Sequence, residues 1–457
     1  MSGVATVHAP TLSSSWSRTQ TSATRVLVAY TVLFVLEGAV RKWVPALDSL
    51  FYIARDMLLA GAAALYYLQG LPRRRHHWWA VLWAATLVLF THGCVTIIGG
   101  TMSPTALAFG IRSYVIAALL TAFVASYAPR RALDAISTTL AILALVNLPI
   151  AIAQVLSPGD AFVNRVTGGG ENNWLNGGEA VRALGTFSSP VGMLAFLPLT
   201  LALSLAAVAR GTHHRTLHAL SVVATALMTV ISGSRGIVLC GVIVAVAFVI
   251  YQLRHLSTRA FLNLLVILGL GVGGLIAANH ALATVLEAFQ TRVDQASAQE
   301  DTAGRITRTI FGFATDQFGL LGSGPGANST FGSQQLGTPW VEFEHTRYTA
   351  ELGVLGYALA IAATAAGIWA AIRIFTHSHH DPPERTLILA VVAPALTFGS
   401  VTAQPSAQAS IALCAAALLL TTLPDHEPEP SSLLRARTRD RARDRSHPPL
   451  PQEARHT

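Results

Sequence analysis

The feature that most constrains this chain is a long succession of apolar segments separated by short polar or basic ones. A helix of about 20 mainly apolar residues is needed to cross a hydrocarbon layer of roughly 30 Å. Segments of suitable length occur near residues 25–40, 48–68, 78–98, 104–127, 132–156, 187–209, 215–232, 236–253, 260–281, 347–375, 386–403 and 406–423. They predict an all-α, polytopic integral membrane protein with about twelve transmembrane helices.

The composition of the chain excludes the main soluble classes. Of its 457 residues, 52% are hydrophobic and only 12% are charged, which is too apolar for a soluble multidomain protein. The formal net charge of +8 would suit a nucleic-acid-binding protein. However, no basic domain remains once the apolar segments are set aside, so membrane lipids are expected partners and nucleic acid is not.

Basic residues predict the orientation of the helices, because cytoplasmic loops of membrane proteins are enriched in Lys and Arg. With the N-terminus inside, every connection expected in the cytoplasm is basic: residues 73–75, 130–131, 210–215, 254–259, 373–385 and the tail. The pattern predicts a plasma-membrane protein with both termini in the cytoplasm. No removable signal peptide is expected, because the stretch before Ala23 is polar and lacks a basic start.

The chain divides into three predicted regions. Residues 1–24 form a cytoplasmic N-terminal segment, 25–423 a transmembrane domain, and 424–457 a disordered basic cytoplasmic tail rich in Pro, Arg and Asp. Within the domain, the external segments near 157–186 and 282–346 are longer than the other connections. Long loops in compact proteins often carry function, so we expect the chemistry on the external side.

Cysteine and histidine residues do not indicate a metal site. Each of the three cysteines lies alone within an apolar segment, which favours a packing role over a disulfide or a metal ligand. The histidine pairs and the cluster at 377–380 fall in basic cytoplasmic connections without spaced carboxylates or thiols. We therefore expect neither a metal ion nor another cofactor.

A set of cations lies on the external side, where the orientation rule expects few. These are Arg41, Lys42, Arg182, Arg235, Arg292, Arg305, Arg308 and Arg347. Guanidinium groups bind phosphate oxygens through paired hydrogen bonds, so a pyrophosphate is their expected partner. A substrate anchored in the outer leaflet by a lipid diphosphate has its charge at this depth.

Lys42 is the only lysine in the chain and lies at the outer end of the first predicted helix. In a chain that otherwise uses Arg, a single Lys suggests a specific need for an ammonium group. Alternatively, Arg41 and Lys42 only extend toward the lipid headgroups while Trp43 belongs to an aromatic belt. Both interpretations stay open. Glu37 is expected to pair with Arg41, one helical turn away.

Arg55, Asp56 and Arg112 lie inside predicted membrane helices, where an unpaired charge costs several kcal/mol. Arg55 and Asp56 are adjacent in the second helix and can neutralise each other. Arg112 lies in the middle of the fourth helix and has no carboxylate beside it in the sequence. This favours a position facing a polar cavity for Arg112.

Several short motifs share the external side of the predicted membrane domain. They are 37–43 (EGAVRKW), 182–187 (RALGTF), 232–236 (SGSRG), 322–326 (GSGPG), 344–347 (EHTR) and 351–356 (ELGVLG). In this order, and on this one side, they resemble the motifs of the O-antigen ligase and polymerase family of membrane proteins. The resemblance runs from the first predicted helix to the tenth and does not include the cytoplasmic tail.

The resemblance implies a GT-C-like helical fold whose long external loop, before the tenth helix, closes over a lipid-diphosphate-linked glycan without a metal ion. It also implies that Arg182 and Arg235 hold the diphosphate and that His345 lies at the reaction centre. The motifs do not separate a ligase from a polymerase. The bias toward Arg fits a GC-rich Gram-positive organism, which favours a polysaccharide polymerase.

The chemistry of glycan transfer agrees with these positions. It needs positive charge on a diphosphate leaving group and a base near the attacking hydroxyl. Of the histidines expected on the external side, only His345 is flanked by a carboxylate and a guanidinium, those of Glu344 and Arg347. If this segment opens a helix, Glu344 and Arg347 lie one turn apart on one face. Alternatively, they form only an ion pair at the helix start.

The sequence thus predicts an extracytoplasmic glycosyltransferase that moves or polymerises a polyprenyl-diphosphate-linked oligosaccharide onto a glycan or lipid acceptor. The predicted catalytic residues are His345, Arg235 and Arg182, and the predicted substrate contacts are Arg41, Lys42, Arg112, Arg305, Glu344 and Arg347. A transporter or flippase for lipid-linked oligosaccharide is the alternative, and Arg112 is its best argument. The two halves of the chain lack the internal repeat that many carriers show.

Two weaker signals have open interpretations. The glycines of the 322–326 turn form either a nest of backbone amides for a phosphate or a flexible hinge. Residues 172–174 (Asn-Asn-Trp) either contact a sugar or belong to an unstructured loop.

Overall fold

A computed structural model of the chain describes residues 12–74, 77–167, 181–255, 269, 302–315, 318–341, 343–399, 401–402 and 404–424. Every regular element in this part of the chain is helical. The α-helices are α1 (Leu12–Trp43), α2 (Asp48–Leu68), α3 (Trp78–Ile98), α4 (Pro104–Tyr127), α5 (Ala132–Leu156), α6 (Pro190–Arg210), α7 (Arg215–Ile231), α8 (Arg235–Arg254), α9 (Thr302–Thr315), α10 (Thr330–Leu336), α11 (Glu344–Leu352), α12 (Val354–His377), α13 (Pro383–Phe398) and α14 (Pro405–Leu420). Short 3-10 turns cover Pro45–Leu47 and Phe162–Asn164.

Within the described residues, 8 helices are long and apolar enough to cross a membrane, namely α1 to α6, α8 and α12. Helices α7 and α14 are apolar but shorter. The described part of the chain is therefore all-α and multi-pass, as the sequence predicts. The total of about twelve spans stays a prediction. The predicted run 260–281 lies outside the described residues except at position 269.

Four predicted apolar runs coincide with α2, α3, α4 and α5. Helix α1 differs, because it begins at Leu12 rather than near residue 25. Its polar first turns continue the helix because one side packs on the bundle: the Arg74 guanidinium lies 5.6 Å from the Trp16 ring, and Ala23 is fully buried. Part of the predicted N-terminal segment is thus helical. The predicted disordered tail lies outside the described part beyond residue 424.

The tenth predicted run is two helices rather than one. Helix α11 ends at Leu352 and α12 begins at Val354, with Gly353 between them at φ +56°. An ideal Cβ at Gly353 would lie 2.1 Å from the carbonyl oxygen of Leu320, so no side chain fits there. The apolar pattern does not reveal this break, because glycine is common in membrane helices.

Helix α6 lies at the centre of the bundle and packs on α5, α7, α8, α13 and α14. Within its apolar stretch 78% of the residues are buried, against 28% for α3 and 22% for α12. Phe196 of α6 and Phe187 just before it contact Phe34 of α1, with ring centroids 6.4 and 5.8 Å from that ring. Helices α3 and α12 instead expose large apolar side chains, as helices that face lipid do.

The bundle has two polar ends. The Arg182 end holds the C-terminal ends of α1 and α5 and the N-terminal ends of α6, α8 and α14. The Asp381 end holds the connection between α12 and α13 and the C-terminal end of α8. There Arg373 donates to both carboxylate oxygens of Asp381, at 2.9 and 3.0 Å, and Arg385 donates at 2.8 Å.

At the Asp381 end, carboxylates form ion pairs with arginines of neighbouring helices. Burial alone raises the pKa of Asp381, but the hydrogen bonds and charges of Arg373 and Arg385 outweigh it and hold that pKa below its ordinary value. Arg210 of α6 likewise contacts both Asp134 of α5 and Glu384 of α13. These ion pairs join neighbouring helices to each other.

Candidate functional site

Residues 182–187 immediately precede α6, and buried polar side chains from α1 and α5 hold them. The Lys42 ammonium, in a residue only 1% exposed, donates to the Gly185 carbonyl at 2.7 Å. Gln154 Oε1 accepts from the amides of Leu184 and Gly185 at 2.9 and 2.7 Å. Gln154 Nε2 donates to the Gly185 carbonyl at 3.0 Å. Lys42 therefore binds a backbone carbonyl in this structure, where the sequence predicts a substrate contact.

Two further hydrogen bonds join the same segment to α5 and α1. The Thr186 amide donates to Asn147 Oδ1 at 2.9 Å, and its hydroxyl donates to a backbone carbonyl of α1 at 2.6 Å. Gly38 of α1 makes this approach possible, because an ideal Cβ there would lie 2.6 Å from Thr186 O and Ser188 N. Helix α1 thus packs directly on the backbone that carries Arg182.

Arg182 and Arg235 lie close enough for their charges to interact. Arg235 is the first residue of α8 and follows a turn in which Gly233 has φ +60°. Desolvation, and then the Arg235 charge, lower the pKa of the Arg182 guanidinium. In the described structure Arg182 is half-buried, its Nε has no hydrogen-bond partner, and no carboxylate pairs with it. Two guanidiniums arranged in this way suit a dianion such as a diphosphate.

Three arginines of α1, α2 and α4 form a different arrangement, in which carboxylates neutralise each guanidinium. The ion pairs are Glu37–Arg55 at 3.0 Å, Arg55–Asp56 at 3.0 Å, Arg112–Asp56 at 2.5 Å, Arg41–Asp48 at 2.6 Å and Arg41–Glu37 at 3.9 Å. We call this set the α1–α2–α4 network. Its three guanidiniums and three carboxylates balance in charge, so the network as a whole has no need of an external anion.

Two expectations from the sequence concern the α1–α2–α4 network. The predicted pair of Glu37 and Arg41 is present, at 3.9 Å, and Arg55 lies nearer to Glu37, at 3.0 Å, because Arg41 turns toward Asp48. Arg112, for which the sequence favours a polar cavity, donates instead to Asp56. The predicted substrate contacts of Arg41 and Arg112 stay predictions, and both side chains have carboxylate partners within the protein.

Helix α11 carries buried charges, and all of its 9 residues are buried. Arg347 donates to Glu344 at 2.8 Å, one helical turn away, as predicted for a helix that opens in this segment. Both side chains also contact the Thr402 hydroxyl, and the Thr402 amide donates to Glu344 at 2.9 Å. An ion pair at the helix start is thus present. Contact of Glu344 and Arg347 with substrate stays a prediction.

The glycine turn 322–326 encloses a carboxylate of the protein itself. Glu351, which is fully buried, accepts from the amides of Gly326 and Asn328 at 2.8 and 3.2 Å and from the Tyr114 hydroxyl at 2.7 Å. The turn has φ values of +67°, +105° and +87° at its three glycines. These amides do form an anion nest, but its occupant is Glu351 rather than a phosphate. The packed turn also gives no support to a flexible hinge.

His345 is buried between α11 and α13. Its Nε2 lies 3.0 Å from the carbonyl of Leu396, in the last turn of α13, where carbonyls lack a partner within the helix. Since a carbonyl only accepts, Nε2 carries a proton, and in the neutral form of the ring the lone pair is therefore on Nδ1. That Nδ1 is buried and has no hydrogen-bond partner in the described structure. Phe313 of α9 covers the ring edge-on, with centroids 5.9 Å apart.

The three predicted catalytic residues lie at or next to the ends of α6, α8 and α13, which pack on one another. Arg182 precedes α6, Arg235 begins α8, and His345 contacts the end of α13, which packs on both. None of the described contacts of His345 involves either arginine. The structure therefore gathers these residues at one end of the bundle without joining them directly.

Some of the residues that the sequence singles out lie wholly or partly outside the described residues. Arg292 and residues 172–174 lie wholly outside them. Arg305 belongs to α9, but its side chain also lies outside the described part. Arg308, on the same helix, is exposed.

Sequence reasoning missed Gln154 and Asn147, which hold the segment of Arg182. A signal for them exists, because both are amide side chains within the apolar run 132–156. They are seven residues apart, and therefore lie on one face of α5. An amide buried in such a helix needs a hydrogen-bond partner, which here is the backbone of residues 184–186.

Comparison with known proteins assigns no family to this chain. No protein-family model matches its sequence, and no curated protein matches it. Among the described residues, no group of three or more His, Cys, Asp or Glu side chains is placed to hold a metal ion.

Proposed function

We propose that the protein is an extracytoplasmic glycosyltransferase that uses a polyprenyl-diphosphate-linked oligosaccharide as donor. Transfer to a second glycan, as in a polysaccharide polymerase, is favoured over ligation to another acceptor. In this proposal the chain is a GT-C-like protein of the plasma membrane, the Arg182 end faces outward, and both termini are cytoplasmic. The proposed reaction is independent of metal ions.

The observation that carries the proposal is the proximity of Arg182 and Arg235. Like charges that lie near each other repel, and a bound anion relieves that repulsion; the described structure gives Arg182 no carboxylate. Buried hydrogen bonds from Lys42 and Gln154 maintain the arrangement. Departures from local charge balance of this kind are concentrated at functional sites.

The proposed transfer assigns a task to each predicted catalytic residue. The guanidiniums of Arg182 and Arg235 donate to the diphosphate oxygens and stabilise the negative charge that grows on the leaving group. His345 Nδ1 accepts the proton of the attacking hydroxyl. The hydroxyl oxygen bonds to the anomeric carbon while the bond from that carbon to the phosphate oxygen breaks, and the lipid diphosphate leaves.

Purified full-length protein in lipid nanodiscs, supplied with the lipid-linked oligosaccharide of its own cells, tests this site. We expect Arg182→Ala to lower the rate of glycan transfer by about 10²–10³, the cost of removing one charge-stabilising donor. Arg25→Ala is the matched control, because Arg25 is an exposed arginine in the N-terminal half of α1. Wild-type rates in both Arg182→Ala and His345→Ala would refute the proposed site.

The same preparation separates an enzyme from a transporter. Transfer changes the covalent structure of the glycan and needs no ion gradient, whereas a flippase moves unchanged lipid to the other leaflet. The observation that favours transport is the ion network of Arg55, Asp56 and Arg112 in apolar helices, since carriers often bury paired charges there. If the protein moved the donor between leaflets unaltered and transferred no glycan, the protein would be a flippase rather than an enzyme.

Deletion of the gene in cells distinguishes a polymerase from a ligase. Loss of a polymerase leaves single lipid-linked repeat units, and this is the outcome that we expect. Accumulation of finished but unattached polymer would instead indicate a ligase. That result would change the proposed acceptor, but not the proposed site for the donor.

A further inference from the structure

The external turn Phe162–Asn164 lies beside the Arg182 segment and carries an exposed aromatic ring. Phe162 is 57% exposed. Trp43, the last residue of α1, stacks on it with ring centroids 6.1 Å apart and an interplanar angle of 23°. The Arg165 guanidinium lies 5.0 Å from the centre of the Phe162 ring. These side chains form an aromatic surface with a cationic group at its border.

The turn is held as firmly as the Arg182 segment. Asn164, 3% exposed, donates through Nδ2 to three backbone carbonyls at 2.8 to 3.3 Å. Gln154 donates to the Val163 carbonyl at 3.0 Å, and its side-chain oxygen also accepts from the backbone just after Arg182. A single side chain of α5 therefore sets the position of the aromatic turn relative to the predicted diphosphate site.

Three polar atoms in this neighbourhood are buried and have no hydrogen-bond partner in the described structure. They are Trp43 Nε1, Asn164 Oδ1 and Arg182 Nε. Buried polar groups in folded proteins are nearly always satisfied, by the protein itself or by a bound molecule. Two donors and one acceptor beside an aromatic face match a sugar ring, whose hydroxyls form hydrogen bonds while its slightly positive C–H groups pack on the negative face of the aromatic ring.

We propose that Trp43, Phe162 and Asn164 form a sugar-binding subsite for the glycan, next to the diphosphate site at Arg182. This inference rests on the proposed function. Phe162 packs on one face of a sugar, Trp43 Nε1 donates to a hydroxyl, and Asn164 Oδ1 accepts from another. An aromatic belt at the membrane surface accounts for exposed rings. It does not account for the three unpartnered polar atoms.

Binding assays on the full-length protein in nanodiscs separate sugar recognition from diphosphate recognition. The two probes are farnesyl diphosphate, which has no sugar, and the lipid-diphosphate-linked oligosaccharide extracted from the cells. A His345→Ala background prevents transfer during the measurement. Phe162→Leu keeps an apolar side chain and removes the ring, whereas Trp43→Phe keeps a ring and removes the Nε1–H donor.

We expect Phe162→Leu to weaken binding of the oligosaccharide probe about tenfold. We expect Trp43→Phe to weaken it about fivefold, with binding of farnesyl diphosphate unchanged in both variants. Phe311→Leu and Trp340→Phe are the matched controls, because these side chains of the second external segment are also exposed, at 55% and 45%. Neither control should change the affinity for either probe.

Equal weakening of both probes would overturn the sugar subsite, because the variants would then act by displacing Arg182. Unchanged binding of both probes would also overturn it and leave the rings as an interfacial belt. Failure of the proposed function has a different signature. In that case Arg182→Ala would bind both probes as well as the parent protein does.

Discussion

Two arginine-containing regions meet at the end of α1, and they differ in how their charge is balanced. In the α1–α2–α4 network, three guanidiniums contact three carboxylates at 2.5 to 3.9 Å. Beside it, Arg182 lies near Arg235, and the described structure gives Arg182 no carboxylate. The first region is typical of ion pairs that join helices, and the second is typical of a site for an external anion.

The largest expected difference between the two regions is in stability. Arg55→Ala leaves Glu37 and Asp56 buried without their shared guanidinium, so we expect the free energy of unfolding to fall by about 3–5 kcal/mol. Arg182→Ala removes a like-charge neighbour, so we expect no loss. Thermal unfolding of both variants in one detergent measures the contrast. Equal destabilisation by the two substitutions would show that the two regions do not differ in how their charge is balanced.

A smaller effect is expected from two glycines of α1 and α2. A methyl group at Gly38 would lie 2.6 Å from backbone atoms of Thr186 and Ser188, so the segment of Arg182 must move. We expect Gly38→Ala to lower stability by about 1–3 kcal/mol. Glycan transfer should fall about tenfold to 100-fold, because displacements of about 1 Å have costs of this size.

Gly61→Ala is the control for Gly38→Ala, because nothing lies within 4 Å of an ideal Cβ at Gly61. We expect that variant to retain its activity and to gain up to about 1 kcal/mol of stability. Full activity in Gly38→Ala would show that α1 does not position Arg182.

The smallest effect is expected at the Asp381 end, where the charge is again balanced. The pKa of Asp381 is lower in the folded protein than in the unfolded chain. Its stabilisation is therefore present above the unfolded pKa of about 4 and is lost as the pH falls through the folded value. We expect the difference in unfolding temperature between wild type and Asp381→Asn to shrink below about pH 4. A difference that stays constant at every pH would contradict the lowered pKa.

Much of the fold could be predicted from the sequence, because a membrane-spanning helix needs a long apolar run and such runs are visible in the residues themselves. The bounds of α2 to α5 follow from this requirement. The break at Gly353 could not be predicted in this way. It depends on the close approach of Leu320, which is a tertiary contact and leaves no trace in the local pattern.

The candidate site was less predictable than the fold, because the type of a residue does not show which group its side chain contacts. Lys42 is conspicuous as the only lysine, yet its ammonium donates to the Gly185 carbonyl. Arg182 and Arg112 are both arginines expected in or near the membrane, and only the structure shows that Arg112 has a carboxylate. Gln154 joins Val163 to Leu184, two parts of the segment near 157–186 that the sequence predicts as a single loop.

The position of Glu351 limits how the site can open. Its carboxylate accepts hydrogen bonds from the glycine turn and from Tyr114 of α4 at the same time. Lifting the turn away from α11 would remove the two amide donors from this fully buried carboxylate and leave it with Tyr114 and the Arg347 guanidinium, 3.6 Å away. Each lost hydrogen bond to a charged group costs about 1.5–3 kcal/mol. These contacts favour a common motion of the turn and α11. In the proposed enzyme, a motion of α11, which carries His345, would therefore carry the glycine turn with it.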